Sequence, residues 1–261
     1  GLARIYPLFS SSKGNSSFIG DKSGGILIDC GVSFKKLSQA LELCEIPLEA
    51  VQGVFITHSH SDHVKGLKML TKKIPVSVWG QRETLDELLS EGLIFPGTEV
   101  NEITGAVCTA GMEVISFDTP HDTVRSCGYR INTSDGRSCA VCTDLGCVTE
   151  EVEKGTNGCD LVLLEANYDE TMLKKGPYPF MLKKRIASDH GHLSNICSGN
   201  QAARLIENGT TRIVLGHLSQ ENNTPQTAEI TVEKALSKFK RNTDYILSVA
   251  PVETKGEMVV F

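Results

Sequence analysis

The sequence of 261 residues has no apolar run long enough to cross a bilayer. It also lacks an excess of positive charge, because 26 Lys and Arg residues stand against 32 Asp and Glu residues, giving a net charge of −6. This balance does not favour a protein that wraps nucleic acid through bulk charge, although it leaves a local basic groove open. The first five residues, Gly1 to Ile5, lack the apolar core of a signal peptide, so we expect a cytoplasmic protein.

The nine cysteines are scattered without the spacing of a disulfide framework. An odd number of cysteines in a chain of this length predicts reduced thiols in a reducing compartment. Cys139 and Cys142 have the CxxC spacing, but the apolar run around them predicts a strand. Nearby side chains of a strand point to opposite faces, so we interpret these two as buried structural cysteines.

Strand and helix patterns alternate along the whole chain, with no repeat, low-complexity tract or linker between them. We therefore predict one α/β domain over residues 1–261. The predicted strands are 24–31, 51–57, 76–79, 112–117, 127–132, 138–143, 160–165, 212–215, 245–250 and 258–261. The predicted helices cover 34–44 with Ser33 as N-cap, a start at 66–70, and then 82–90, 195–207 and 227–240.

A dense histidine cluster follows the strand predicted at 51–57: His58, His60, Asp62 and His63. Imidazole and carboxylate are ligands that suit zinc, manganese or iron. His58 and His60 are two residues apart, so both can point to one metal, while Asp62 and His63 turn toward a second. Desolvation and mutual repulsion of the rings disfavour such a cluster without a ligand, so it predicts a metal site.

Three more candidate ligands each follow a predicted strand: His121, Asp144 and His217. Open α/β sheets gather their functional loops at the carboxyl ends of the strands. We therefore expect these three side chains to lie near the histidine cluster.

The order HxHxDH, then a distant His, Asp and His, resembles the metallo-β-lactamase superfamily over nearly the whole chain. The resemblance implies an αββα sandwich, in which two mixed β-sheets are flanked by helices and the site lies at one edge. It also implies two divalent metal ions per chain, either Mn, Zn or Fe. The implied ligands are His58, His60 and His121 for one ion, Asp62, His63 and His217 for the other, and Asp144 as the bridge.

Shorter motifs are similar to the YycJ/WalJ branch of this superfamily, whose members are bacterial, cytoplasmic and regarded as DNA exonucleases or phosphodiesterases. The motifs are Ser10–Ser17, Thr119–Asp122, Thr143–Asp144, Gly191–Asn195 and Gly216–Asn223. Leu145 departs from the branch, which more often has threonine there. In related members a histidine in the position of His192 donates a proton or contacts the phosphate. The resemblance thus implies Asp62, Asp144 and His192 as catalytic residues.

Two basic or polar segments are candidates for binding a phosphate backbone. Lys184 and Arg185 precede the His192 motif, and their positive charges suit contacts with the phosphate backbone of a nucleic acid. The loop residues Ser12, Lys13, Gly14 and Asn15 offer backbone N–H groups and a hydroxyl. An ordinary solvated surface remains the alternative for both, and we interpret His190 as a surface histidine.

Three functions are weighed for this chain. The first is a dinuclear-metal phosphodiesterase with nucleic acid as substrate, in its sharp form a DNA exonuclease. The second is a small-molecule hydrolase of the same fold, cleaving a cyclic phosphodiester, thioester or lactone. The third is a non-catalytic, metal-stabilised nucleic-acid-binding protein, which seven ligands disfavour because structural zinc sites usually have four. We expect no membrane partner, and the oligomeric state stays open.

Overall fold

Two seven-stranded sheets form the centre of the computed structural model, which describes residues 3–261. Gly1 and Leu2 of the predicted 1–261 domain lie outside the described residues. In order across the sheet, the first contains β14 (Val259–Val260), β1 (Arg4–Phe9), β2 (Ser16–Asp21), β3 (Gly24–Ile28), β4 (Val51–Phe55), β5 (Ser77–Gly80) and β6 (Val100–Glu102). The second contains β13 (Ile246–Val249), β12 (Arg212–Gly216), β11 (Leu161–Glu165), β10 (Ser138–Cys142), β9 (Cys127–Thr133), β8 (Met112–Asp118) and β7 (Ala106–Thr109).

Each sheet joins an antiparallel half to a parallel half. In the first sheet β14, β1, β2 and β3 pair antiparallel, and β3 to β6 pair parallel. In the second, β7 to β10 pair antiparallel and β10 to β13 parallel. Parallel strands are covered on both faces and therefore consist of unbroken apolar runs, as in Leu161–Leu164.

Helices cover the outer face of each sheet. Against the first sheet lie α1 (Phe34–Leu43), α3 (Leu67–Lys73) and α4 (Arg82–Ser90), whose leucines share one apolar core with that sheet. Against the second lie α5 (Glu150–Thr156), α8 (Asn195–Glu207) and α9 (Pro225–Ala235). The short helices α2 (Ser61–Val64), α6 (Glu170–Lys175) and α7 (Phe180–Ile186) belong to connecting segments. This arrangement confirms the predicted αββα sandwich.

The two sheets pack face to face through a third apolar core. Phe55 and Tyr129 meet across it edge to face, with ring centroids 5.5 Å apart. The Tyr129 hydroxyl donates a 2.6 Å hydrogen bond to the Ile56 carbonyl, and Cys127 N–H donates to the Thr57 carbonyl at 3.1 Å. These two bonds fix the end of β4 against the second sheet, directly before the histidine cluster.

Several predicted elements match the structure and one predicted helix end is wrong. The strands β1, β2, β6 and β7 and the helices α2, α5, α6 and α7 were not predicted. The helices at 82–90 and 195–207 have the predicted bounds, and the Ser33 hydroxyl caps α1 by accepting from Lys36 N–H. The helix predicted at 227–240 is wrong at its end, because α9 stops at Ala235. Leu236 lies in the turn after α9 and is buried. The apolar spacing of the sequence therefore continues beyond the last helical residue, which explains the wrong end.

Cys139 and Cys142 are buried, as expected for structural cysteines. All nine cysteines are free within residues 3–261. Cys139 faces the core between the sheets, whereas Cys142 faces the core under the helices. Burial raises the pKa of both thiols, which disfavours the thiolate that a metal requires.

No helix within residues 3–261 is both long enough and apolar enough to span a membrane.

Candidate metal centre

Loops at the carboxyl ends of four strands converge at one edge of the two sheets. The histidine cluster leaves β4 in the first sheet, while His121, Asp144 and His217 follow β8, β10 and β12 in the second. The site is therefore assembled from both sheets. All seven side chains predicted as ligands lie together there.

The six side chains around Asp144 fall into two sets of three. His58, His60 and His121 each present one ligand atom, and these atoms lie within 4.8 Å of one another. Asp62, His63 and His217 form a second set with the same property. Each set has the number of protein ligands that a metal ion keeps when one coordination position stays open for substrate or water.

Asp144 lies between the two sets and presents one carboxylate oxygen to each. Its Oδ1 is 3.9 Å from His58 Nε2 and 3.5 Å from His121 Nε2. Its Oδ2 is 3.0 Å from His63 Nε2 and 3.4 Å from His217 Nε2. A carboxylate in this position has the geometry to bridge two cations.

Three buried histidine nitrogen atoms of the ligand sets indicate whether a metal ion fits the site. The Nε2 atoms of His58, His63 and His121 are buried and make no hydrogen bond of good geometry within residues 3–261. A buried polar atom without a partner costs about 1–3 kcal/mol. A divalent cation would satisfy these atoms, and the imidazole and carboxylate donors suit it chemically. The side chains therefore fit a divalent metal site.

Asp29 supports His63 from behind. Its buried carboxylate accepts hydrogen bonds from His63 Nδ1 at 2.7 Å and from both the N–H and the hydroxyl of Thr57 at 2.8 Å. Because Nδ1 is held by Asp29, Nε2 of His63 is left to face the site. Asp29 was not among the predicted site residues, although its position directly after the apolar run Ile26–Ile28 was a signal for such a role.

Glu165 supports the opposite side of the site and is likewise fully buried. It ends β11 and pairs in register with Gly216, which brings it beside the next residue, His217. Its carboxylate accepts hydrogen bonds from His192 Nδ1 at 2.9 Å and from Leu193 N–H at 3.0 Å, and it lies 2.8 Å from His217 Nδ1, within ion-pair distance. One carboxylate therefore orients two histidines. Glu165 was not among the predicted site residues either, although an acidic residue at the end of an otherwise apolar strand was a signal for such a role.

The charged groups of the site shift one another's pKa values. Burial raises the pKa of Asp144, but His217, His63 and His58 outweigh it and hold that pKa well below its usual range. Burial lowers the pKa of His217, but Asp144, Asp62 and Glu165 outweigh it and raise that pKa to about 10. Asp144 is thus ionised and His217 is protonated at neutral pH, so metal ligation must displace the proton of His217.

Comparison with known proteins decides the family. A family model described as the beta-lactamase superfamily domain matches residues 25–218. The chain belongs to the metallo-β-lactamase superfamily. It is a hydrolase of this superfamily, and its His/Asp clusters indicate that it binds divalent metal.

Two bacterial relatives refine the placement. The protein named exodeoxyribonuclease YycJ from Bacillus anthracis is 33% identical over 235 residues, which cover 88% of this chain and 88% of that relative. The protein named exodeoxyribonuclease WalJ from Streptococcus pneumoniae is also 33% identical over 235 residues, covering 88% and 87%. The chain therefore belongs to the YycJ/WalJ branch of the superfamily, as its motifs predicted.

The fold is shared with solved structures at much lower identity. The Zn²⁺-bound PqqB from Methylobacterium extorquens has a TM-score of 0.73 over 99% of this chain and 100% of that chain, at 16% identity. This likeness shows the common fold alone. Within that fold, the Leu145 departure is accommodated in the apolar core under the helices, where its side chain is fully buried.

The N-terminal loop of this metallo-β-lactamase domain lies partly inside it. Asn15 is buried, and its Nδ2 donates to Asp62 Oδ2 at 3.1 Å, while its backbone N–H donates to the Asp62 carbonyl at 2.8 Å. Gly14 packs so closely that a Cβ there would lie 2.6 Å from Val32 Cγ1. Ser12 and Lys13 are exposed. The structure thus places Asn15 behind Asp62, while substrate binding by this loop stays a prediction.

The second predicted substrate segment and the two remaining histidines flank the metal centre. Lys184 and Arg185 are exposed on α7, and Arg185 Nε lies 2.6 Å from Asp122 Oδ2. His190 is exposed. His192 is half-buried, with its ring centroid 5.1 Å from that of His121. The structure therefore brings His192, but not His190, into the site.

Three residues of the site have an unusual backbone. Asp29, Asp144 and His217 adopt φ values of 64°, 61° and 57°. This left-handed region is uncommon for residues other than glycine, although Asp tolerates it better than most. Each of the three lies within two residues of the end of a strand, where the chain leaves the sheet.

Proposed function

We propose that this protein is a dinuclear-metal phosphodiesterase, and specifically a DNA exonuclease that acts in the cytoplasm. The observation that carries the proposal is the pair of three-ligand sets joined by Asp144, with His192 beside them. The names of the two bacterial relatives support DNA as the substrate. The nine free thiols support a reducing compartment.

The two sets would hold one divalent cation each, and their donors admit Mn, Zn or Fe. When bound, such cations lower the pKa of water and supply positive charge to the oxygens of a phosphoryl group. Asn15 holds the carboxylate of Asp62 in place, and Asp29 does the same for the ring of His63. The protein thus fixes the ligands before substrate arrives.

His192 is the proposed proton donor to the leaving oxygen. Its Nδ1 is held by Glu165, so Nε2 is the ring nitrogen left for a substrate. Burial lowers the pKa of His192, but Glu165 outweighs it and raises that pKa, which favours the protonated ring. A protonated Nε2 can donate to the alkoxide that leaves when a phosphodiester is cleaved.

We expect two metal ions per chain after loading, because seven ligands lie in two sets around one bridge. The measurement is elemental analysis of the purified protein after equilibration with Mn²⁺ or Zn²⁺ and removal of free metal. His60→Ala should lower the stoichiometry, whereas the exposed His190→Ala should not. A reproducible value of one ion or fewer in the wild type would contradict the dinuclear proposal.

We expect progressive digestion of end-labelled DNA from one end. The assay presents single- and double-stranded DNA and RNA with Mn²⁺, Mg²⁺ or Zn²⁺ added in turn. A ladder of shortened DNA supports an exonuclease. Hydrolysis confined to a cyclic phosphodiester, thioester or lactone would instead establish the small-molecule hydrolase. Membership of a hydrolase superfamily already favours an enzyme over the non-catalytic alternative.

A further inference from the structure

A cavity of about 1080 Å³ opens beside His192, between α6, α7 and α8. Typical small-molecule pockets have volumes of about 300–1,000 Å³. The cavity therefore has room for more of a substrate than the group that reacts. Its lining combines apolar side chains such as Leu173 and Phe180 with charged ones. The basic side chains Lys174, Lys183, Lys184 and Arg204 outnumber the acidic Glu170 and Asp189.

The helix α7 at the edge of this cavity has no buried residue. Phe180 is 75% exposed and Met181 is 71% exposed. Large apolar side chains grouped on a surface mark a binding site more often than chance placement does. The exposed aromatic ring of Phe180 is also next to the cavity that leads to His192.

Hydrogen bonds tie the end of α7 directly to the metal centre. His192 N–H donates to the Ile186 carbonyl at 2.9 Å. The Gly191 carbonyl between them accepts from His121 Nδ1 at 2.9 Å. A Cβ at Gly191 would lie 2.2 Å from the Ile186 carbonyl oxygen, so the approach is very close. A ligand on α7 therefore lies on a segment that also positions a candidate metal ligand and the candidate proton donor.

Charge distinguishes between the occupants that this surface could take. Lys174 and Lys184 line the cavity and have no carboxylate within 4 Å anywhere in residues 3–261. A second copy docked through α7 would bring these lysines against their own counterparts, which like-charge repulsion disfavours. A polyanion avoids this repulsion because its charge is opposite to that of the lysines. A polyanion with aromatic bases can also stack on the ring of Phe180.

We propose that α7 and the cavity beside it bind the single-stranded end of a nucleic-acid substrate. Phe180 stacks on an unpaired base, and Lys174 and Lys184 contact the backbone phosphates next to the one that is cleaved. Stacking requires an exposed base face, which a duplex covers and a single strand offers. This inference rests on the proposed nuclease function and adds the place and the form in which the strand is bound.

The first test compares Phe180→Ala with Ile230→Ala, a control on α9 whose side chain is 55% exposed. KM for single-stranded DNA should rise about tenfold in Phe180→Ala and stay unchanged in the control. The loss should be much smaller on bis(4-nitrophenyl) phosphate, which has no nucleobase. Equal losses on both substrates, or no loss on DNA, would overturn the inference.

Charge reversal gives an independent measurement. Lys184→Glu should weaken binding of a fluorescein-labelled oligodeoxythymidine and reduce its salt dependence by about one phosphate contact. Lys35→Glu, exposed on α1, is the matched control. Identical anisotropy titrations for the two variants would contradict a role for α7. Loss of a wild-type dimer in Phe180→Ala during gel filtration would show that a second copy covers the helix instead.

A cross-link locates the strand without relying on activity. Cys197 is exposed and lines the cavity, whereas Cys108 is exposed on β7. An oligodeoxythymidine with an activated terminal disulfide, added with EDTA, should react with Cys197 far faster than with Cys108, and Cys197→Ser should remove the product. Equal labelling would refute the inference even if the wild type digests DNA. A wild type that digests no nucleic acid would instead refute the proposed function.

Discussion

Asp144→Asn is expected to reduce turnover by about three orders of magnitude or more while leaving the fold intact. The substitution replaces one carboxylate oxygen with an amide NH2 group, whose nitrogen does not ligate a cation, and it removes the negative charge. One of the two ligand sets then loses its contact with the bridging residue, because each Asp144 oxygen faces a different set. Asparagine is preferable to alanine here because it tolerates the φ of 61° at this position.

The measurement is kcat/KM on end-labelled DNA, with circular dichroism and metal content recorded on the same sample. Asp118→Asn serves as the control, since this aspartate lies at the end of β8, but its side chain is 57% exposed and contacts Gln81 and Arg125. Activity of Asp144→Asn near the wild-type value would show that Asp144 does not bridge. Loss of the native spectrum would call for Asp144→Gly, which also adopts the φ of 61° and separates folding from chemistry.

His192→Ala is expected to slow cleavage of a DNA phosphodiester by roughly two to four orders of magnitude. The alkoxide released from DNA is a poor leaving group, so it needs the proton that His192 supplies. An activated ester that releases nitrophenolate needs little protonation, and its hydrolysis should fall much less. His190→Ala is the matched control, because that histidine is exposed and only two residues away.

The metal content of the His192 variant separates two roles. One nitrogen of His192 lies within 4.8 Å of ligand atoms from Asp144, Glu165 and His217. If His192 is a proton donor, the variant keeps its full metal content. Equal losses on DNA and on the activated ester would indicate that His192 positions the phosphate. No loss on either substrate would remove it from the site and weaken the case for nuclease chemistry.

Sequence patterns predicted the parallel halves of both sheets, apart from β6, better than the first two strands. The unbroken apolar run of β11 is recognisable because both of its faces are buried. β1 contains Pro7 next to a register shift, and β2 starts with two serines, so neither has a strong strand pattern. Proline lacks the N–H that a regular ladder uses, which hides a strand from a reading of periodicity.

The predicted ligands came from motifs, whereas the supporting residues depend on contacts that no local pattern encodes. Asp29 reaches His63 across 34 positions, and Glu165 reaches His217 across 52. These contacts exist only because parallel pairing places the ends of distant strands side by side. The exposure of α7 has the same origin: its apolar residues look like core residues in the sequence, and only the fold leaves them outside.

The left-handed backbone at Asp29, Asp144 and His217 lowers the stability of the fold at three positions whose side chains the activity requires. Each costs on the order of 1 kcal/mol relative to a relaxed conformation. Glycine would relieve that cost but would remove the carboxylate or imidazole that the chemistry requires. Substitutions that raise the thermal stability of the active enzyme are therefore expected at other positions of the chain. Glycine at these three positions is expected to give a more stable but inactive protein.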